Sequence, residues 1–172
     1  MFQNSGNLCN FLERRETPNT MHDIDDEKLL STLEEACTIN NLFLDGMNSL
    51  YQHQTLSLTL HEETLSLIDQ LLQRYNSLSI IHELSRDPDY SVQQKYVINV
   101  LKQWCDLLYK RLVFAREMEL KLDMKIKGTK KYGFFAYTSD RRQANKMEKE
   151  SIKLGKALNA QVHAMYQLPY SR

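Results

Sequence analysis

The sequence contains little of what usually interrupts or cross-links a polypeptide. Its 172 residues include five glycines and three prolines, too few for a loop-rich β-sandwich, a collagen-like chain or a Pro/Gly-rich disordered protein. Its three cysteines form no Cys-x-x-Cys pair, which argues against a zinc ribbon or a thioredoxin-like site. No apolar run is long enough to cross a bilayer, and the first residues have no secretory-signal pattern. We therefore expect an intracellular protein, cytoplasmic or nuclear, with reduced thiols and no membrane span.

Motifs for catalysis and for cofactor or metal binding are also missing. None of the five histidines lies four residues from another, whereas helical metal ligands usually come as His-x-x-x-His or Glu-x-x-His, so we expect helix-cap or bundle-edge histidines. Gly128 and Gly133 have the spacing of a phosphate-binding loop, but Phe134 and Phe135 stand where that loop needs Lys and Ser/Thr. The sequence thus predicts no catalytic residue, no cofactor and no metal site, and a protein that is not an enzyme.

What the sequence does have is apolar residues at three- and four-residue steps over long stretches. This spacing is typical of amphipathic helices and predicts helices over about 25–54, 61–85, 91–127 and 140–166. The predicted fold class is all-α, an elongated antiparallel helical bundle or coiled coil of three to four long helices. The predicted division of the chain is a flexible leader (1–22), a three-helix bundle (23–127), a basic–aromatic loop (128–138) and a fourth helix (139–168).

Individual residues of this pattern have expected roles. Thr59 would cap the second helix, and Thr138 or Ser139 the fourth. Arg111 and Lys125 interrupt the apolar seam with charge, which favours assembly with another protein. The core, or seam, residues are expected to be Leu44, Leu71, Trp104, Leu108 and Met118.

The net charge of zero conceals an uneven distribution. Residues 1–90 carry 15 acidic and 5 basic side chains, whereas residues 91–172 carry 7 and 17. Ten basic and three acidic side chains lie between residues 125 and 156, with aromatic residues at the start. Such a segment suits an acidic protein surface, a nucleic acid bound by phosphate contacts and base stacking, or simply a solvated helix face. The predicted partner-binding residues are Lys130, Lys131, Tyr132, Phe134, Tyr137, Arg141, Arg142, Lys146 and Lys149.

Residues 26–127 resemble a single spectrin-type three-helix repeat. The resemblance is carried by His61-Glu62 at the start of the second helix, the Asp87-Pro88-Asp89 turn, and Trp104 after a heptad lead-in, with Leu107, Leu108 and Arg116 beyond it. The family usually has a Trp in its first helix, where this chain offers Phe43 or Leu44, and its third helix runs on where this chain has Lys127-Gly128. The resemblance implies a lone repeat with an added fourth helix, and a scaffold or docking module.

These observations predict a non-enzymatic adaptor or structural subunit of an intracellular complex of cytoskeletal or mitotic type. It would act through helix–helix packing and a basic C-terminal docking surface, as a homo- or hetero-oligomer whose partners are proteins with helical or acidic surfaces. Two alternatives stay open. One is a nucleic-acid-binding accessory protein that uses residues 125–156, and the other is a non-catalytic subunit of an enzyme complex.

Overall fold

The computed structural model describes residues 24–52 and 58–167. Within these ranges the chain is helical and contains no strand, so the all-α prediction is confirmed; the finer prediction, an elongated antiparallel bundle or coiled coil, stays a prediction. The predicted leader, residues 1–22, lies outside the described residues. The elements are α1 (Ile24–Gln52), α2 (Leu58–Tyr75), a 3₁₀ turn (Asn76–Ser79), α3 (Ile80–Leu84), α4 (Val92–Ile126) and α5 (Phe134–Gln167).

Helix α4 is the element against which the other long helices pack. α1, α2 and α5 each contact it, and α1 also packs on α2. A capping box fixes its start: Ser91 Oγ accepts from the amide of Gln94 at 3.2 Å, and Gln94 Oε1 accepts from the amide of Ser91 at 2.8 Å. After its end Gly128 has a φ of 72°, a left-handed conformation that glycine adopts without steric cost. The chain reverses there, and α5 returns along α4.

A continuous apolar core runs from α1 through α4 to α5. The core side chains are the apolar residues that recur at steps of three and four along each helix. They face inward because α1, α2 and α5 all pack against α4. All five predicted seam residues are buried: Leu44, Leu71, Trp104 and Leu108 belong to this core, and Met118 lies outside it. Their apolar surface is therefore covered by the chain itself rather than offered to a partner helix.

The second predicted helix, about 61–85, is divided. α2 ends at Tyr75, and the 3₁₀ turn leads into the short α3. Ser77 Oγ donates to the carbonyl of Arg74 at 2.9 Å, the kind of local side-chain bond that competes with regular helix. Thr59, predicted as the cap, lies inside α2.

The last helix begins earlier than the sequence pattern predicts. α5 starts at Phe134, so the second half of the predicted loop 128–138 is helical. Thr138 does not cap the helix, because its hydroxyl donates to the carbonyl of Phe134 at 2.8 Å, one turn back. The first turn is closed instead by the amide of Tyr137, which donates to the carbonyl of Gly133 at 3.0 Å. The aromatic residues after Gly133 thus stand on a helix, which fixes their directions.

Candidate functional site

The turn between α4 and α5 exposes large apolar side chains. Phe134 is 75% exposed and Phe135 88%, and their rings meet edge to face with centroids 5.9 Å apart. Met124 and Ile126, in the last turn of α4, are also exposed. We call these four residues the aromatic tip. Exposed apolar groups that cluster in this way often mark a contact surface.

Exposed basic side chains neighbour the aromatic tip along the chain. Lys125, Lys130 and Lys131 are exposed beside it. Lys127 is exposed too, and it forms an ion pair with Asp123 at 2.8 Å; this hydrogen bond raises the pKa of Lys127. The turn between α4 and α5 therefore carries both exposed apolar and exposed basic side chains.

A second set of basic residues continues along α5. They recur at steps of four and three residues, which places them on one face of the helix, and all are exposed. None of them forms an ion pair with a described residue. We call this set the basic row, and it comprises Arg142, Lys146, Lys149, Lys153 and Lys156.

Eight of the nine predicted partner-binding residues are exposed, and Tyr132 is the exception. This residue is only 5% exposed, and its ring meets that of Tyr137 edge to face with the centroids 6.0 Å apart. Its hydroxyl donates to Asp140 Oδ2 at 2.5 Å. Burial raises the pKa of Tyr132, and the hydrogen bond to Asp140 raises it further. Tyr132 therefore supports the base of α5 from inside and, unlike the other eight predicted residues, offers almost no surface to a partner.

Asp140 joins α4 to the start of α5. Besides the Tyr132 hydroxyl it binds Lys121 Nζ at 2.8 Å, and the Lys121 ammonium lies 5.6 Å from the centroid of the Tyr132 ring. Burial alone would raise the pKa of Asp140, but the hydrogen bonds from Lys121 and Tyr132 outweigh it and lower the pKa. These contacts hold the first turns of α5, and hence the aromatic tip, in place on α4.

A cavity of about 270 Å³ lies beside this region, between α1, α4 and α5. Its wall is mainly apolar, with four charged side chains: Arg111, Glu119, Arg141 and Glu148. The larger apolar side chains of the wall are Phe43, Met47, Phe114, Met118, Leu122 and Met147. Flexible methionines of this kind adapt to irregular occupants.

Arg111 borders this cavity from inside the core. It is 6% exposed, and its Nη1 donates to Asn40 Oδ1 and to Ser151 Oγ, each at 3.1 Å. Trp104 Nε1 also donates to Ser151 Oγ at 3.1 Å, and the guanidinium lies 5.5 Å from the centroid of the Phe43 ring. The sequence pattern predicted that the charge of Arg111 favours assembly with another protein, but its hydrogen-bond partners lie within the chain itself.

The surroundings of Arg111 disfavour its charge. Burial lowers the pKa of Arg111, and the negative charge of Glu148 partly offsets this. No ion pair among the described residues involves Arg111. The guanidinium is therefore a buried cation whose charge is only partly compensated by the protein.

A buried polar pair, His61 and Glu119, also borders the cavity through Glu119. His61 Nδ1 is 2.5 Å from Glu119 Oε2, and both side chains are buried. His61 Nε2 is enclosed with no hydrogen-bond partner among the described residues. The expectation of a helix-cap or bundle-edge histidine is wrong for His61, which belongs to the interior.

In residues 24–52 and 58–167, no group of three or more His, Cys, Asp or Glu side chains is placed to hold a metal ion. No helix in this part of the chain is long and apolar enough to cross a membrane.

Comparison with protein-family models, with curated proteins and with solved structures finds no match for the chain. The resemblance to a spectrin-type repeat gains no support from them and stays a prediction. Functional proposals for the chain therefore depend on its own surface and cavity.

Sequence reasoning missed several residues of these sites. Phe135 was left out of the predicted partner surface although, among the described residues, it is the most exposed of the large aromatic side chains. The steps of three and four residues would have added Lys153 and Lys156. The cavity gave no signal, because its wall comes from three helices whose relative placement no local pattern specifies.

Proposed function

We propose that the chain is a non-enzymatic adaptor or structural subunit of an intracellular protein complex, and that it docks on an acidic partner protein. The observation that supports this best is the aromatic tip bordered by exposed lysines and continued by the basic row. Each large apolar side chain that a partner covers contributes about 1.5–3 kcal/mol. The surrounding positive charge selects a partner of opposite sign and speeds the encounter.

The proposed partner surface follows from this chemistry. It has an apolar groove that receives Phe134 and Phe135, and Asp or Glu side chains that meet the lysines and the basic row. We retain an elongated bundle as part of the proposal: α4 has 35 residues and is about 52 Å long at ~1.5 Å per residue, which sets the tip at one end of the longest helix. An assembly of cytoskeletal or mitotic type is the proposed context.

Nucleic acid is the second candidate for the same surface. Exposed phenylalanines stack on bases, and the basic row would neutralise phosphates. The burial of Tyr132 removes one of the aromatic side chains on which this alternative depended, so an acidic protein is favoured. A non-catalytic subunit of an enzyme complex would use the same surface, and only the identity of the partner separates it from an adaptor.

The experiment is affinity capture from cell extract with the full chain as bait, followed by binding of each captured protein in purified form. Two variants alter the surface: Lys130→Glu with Lys131→Glu, and Phe134→Ser with Phe135→Ser. The matched control reverses two exposed charges away from the tip, Lys28→Glu with Arg86→Glu. We expect a partner that binds the wild type and the control but neither surface variant.

Charge complementarity has its own test. The pair Lys146→Glu and Lys149→Glu should lose the purified partner, and reversal of acidic residues on the partner should restore binding. Labelled single- and double-stranded oligonucleotides are titrated in parallel over a salt series; duplex binding through phosphates would show a log–log slope near ~0.9 per phosphate neutralised. If Lys130→Glu with Lys131→Glu leaves both protein and oligonucleotide binding intact, the basic–aromatic surface is not the docking site.

A further inference from the structure

We propose that the cavity between α1, α4 and α5 binds a small amphipathic carboxylate, with its head group on Arg111 and its apolar body along α4. This inference is independent of the proposed docking function, because the cavity lies between helices and not on the basic row. The class of ligand is a medium-chain fatty acid or an aryl alkanoate.

Arg111 has hydrogen-bonding capacity that the protein does not use. Both of its hydrogen bonds to described residues come from Nη1. Nε and Nη2 donate no hydrogen bond to a described residue. The open space that Arg111 borders is the cavity. An arginine presents two parallel N–H groups to a carboxylate, and the free pair of nitrogens suits this geometry.

The shape of the cavity suits an elongated apolar body. Arg111 and Leu122 both line it, and they are about 16 Å apart along α4 at ~1.5 Å per residue. Ser151 contacts Arg111 whereas Asp140 contacts Lys121, so α5 runs antiparallel to α4 along this length. Between the two ends the wall is formed by apolar side chains. A cavity of about 150 Å³ already accepts a benzene ring, so one of about 270 Å³ has room for a longer body.

The acidic residues of the wall leave the Arg111 end open to an anion. Glu119 is held by His61 at 2.5 Å and lies about 12 Å from Arg111 along α4. Glu148 is the carboxylate whose field reaches Arg111, but it forms no ion pair with it among the described residues. A ligand carboxylate in hydrogen-bond contact would therefore supply the closest negative charge to a buried guanidinium.

The test uses the full chain and three probes with the same alkyl body: decanoate, decanol and decyltrimethylammonium, each below its micelle concentration. Binding is measured by calorimetry and by the emission of Trp104, the single tryptophan, which shares Ser151 with Arg111. We expect saturable binding of decanoate, weaker binding of decanol, and the weakest binding of the cation. Arg111→Gln should weaken decanoate roughly ten- to hundred-fold and leave decanol little changed.

Two further variants keep the test decisive if Arg111→Gln does not fold. Ala144→Leu fills the cavity wall without removing a charge, and it should abolish binding of decanoate and decanol alike. Lys110→Gln removes an exposed charge of α4 that belongs neither to the wall nor to the docking surface, and it should bind as wild type does; circular dichroism verifies folding. The proposal is overturned if wild type binds decanol as tightly as decanoate, if Ala144→Leu binds normally, or if Arg141→Gln rather than Arg111→Gln removes the preference for the carboxylate.

Discussion

Ser151 is the acceptor on which two buried donors converge, and its replacement by alanine tests the polar core directly. Trp104 Nε1 and Arg111 Nη1 both donate to Ser151 Oγ at 3.1 Å, and the three side chains are buried. In Ser151→Ala the indole N–H loses the one acceptor that it has among the described residues. Arg111 keeps Asn40 as an acceptor and borders the cavity, where water can solvate it.

The expected cost follows from these differences. A buried donor left without an acceptor costs about 1–3 kcal/mol, and we assign this range to the indole. The arginine loses about 1 kcal/mol, less than the ~1.5–3 kcal/mol typical of a hydrogen bond to a charged group, because it keeps one protein partner and can be solvated from the cavity. Alanine returns about 0.5 kcal/mol as a better helix former than serine. We expect a destabilisation of about 1.5–3.5 kcal/mol, which lowers Tm by roughly 3–14 °C for a chain of this size.

Urea unfolding at neutral pH, followed by circular dichroism, measures this loss for Ser151→Ala. Ser139→Ala is the control, because Ser139 is an exposed serine of the same helix and its replacement should be neutral or slightly stabilising. A double-mutant cycle with Arg111→Met should give a coupling energy of about 1 kcal/mol. If Ser151→Ala stays within about 0.5 kcal/mol of wild type, the two donors do not depend on this hydroxyl and the polar core is wrongly described.

Three other measurements examine separate parts of the molecule. Gly155→Ala should stabilise the chain by about 1 kcal/mol, because the added Cβ would lie at an ordinary 3.8 Å from the indole nitrogen of Trp104. Gly46→Ala should lose that gain, because its Cβ would come within 2.5 Å of a methyl group of Leu67. If both variants raise Tm equally, the packing described at Gly46 is contradicted. Burial alone would raise the pKa of Asp140, but its hydrogen bonds outweigh this and lower the pKa below the ordinary value of 3.8. The Asp140 carboxylate therefore stabilises the folded state above pH 3.8, and this stabilisation is lost as the pH falls through the pKa of the folded state. The stability difference between wild type and Asp140→Asn should therefore shrink in acid, and a difference that is constant with pH would exclude this role. Burial, aided by a neighbouring carboxylate, raises the pKa of Cys105 to about 12, so maleimide followed by peptide mass spectrometry should label this thiol only after unfolding, and fast labelling of the native chain would contradict its burial.

Sequence reasoning worked best where the chain carries local signals for ending or starting a helix. Ser91 and Gln94 form the capping box that starts α4, and Gly128 ends it, so the predicted limits of 91–127 agree closely with Val92–Ile126. The start of α5 was predicted too late because threonine is a common N-cap residue, whereas the hydroxyl of Thr138 donates to the carbonyl of Phe134 inside the helix. A hydroxyl close to a helix start serves either purpose, and the sequence alone does not distinguish them.

The polar interior was beyond the reach of sequence patterns for a different reason. Arg111, His61 and Tyr132 are each polar residues that a one-dimensional pattern places at a surface or an interface. Each is buried because its partner comes from another helix or from the next turn of chain: Asn40 and Ser151 for Arg111, Glu119 for His61. Burial of a polar side chain depends on that partner, and the pairing appears only after the helices are assembled.

The charge asymmetry of the chain is largely retained at its surface. Among ion pairs between described Lys or Arg and carboxylates, only the one from Arg116 to Asp69 joins the acidic first half to the basic second half; the others lie within one half. The basic row therefore keeps its charge, and its four neighbouring like-charged pairs oppose helix formation by at most about 1–2 kcal/mol, at about 0.2–0.5 kcal/mol per pair. Glu150, exposed on the same helix, offsets part of this. Helix stability and partner binding are thus opposed at α5. The repulsion between the basic side chains weakens the isolated helix, and the negative surface that we propose as its partner relieves it. Added salt weakens both the repulsion and the attraction to the partner.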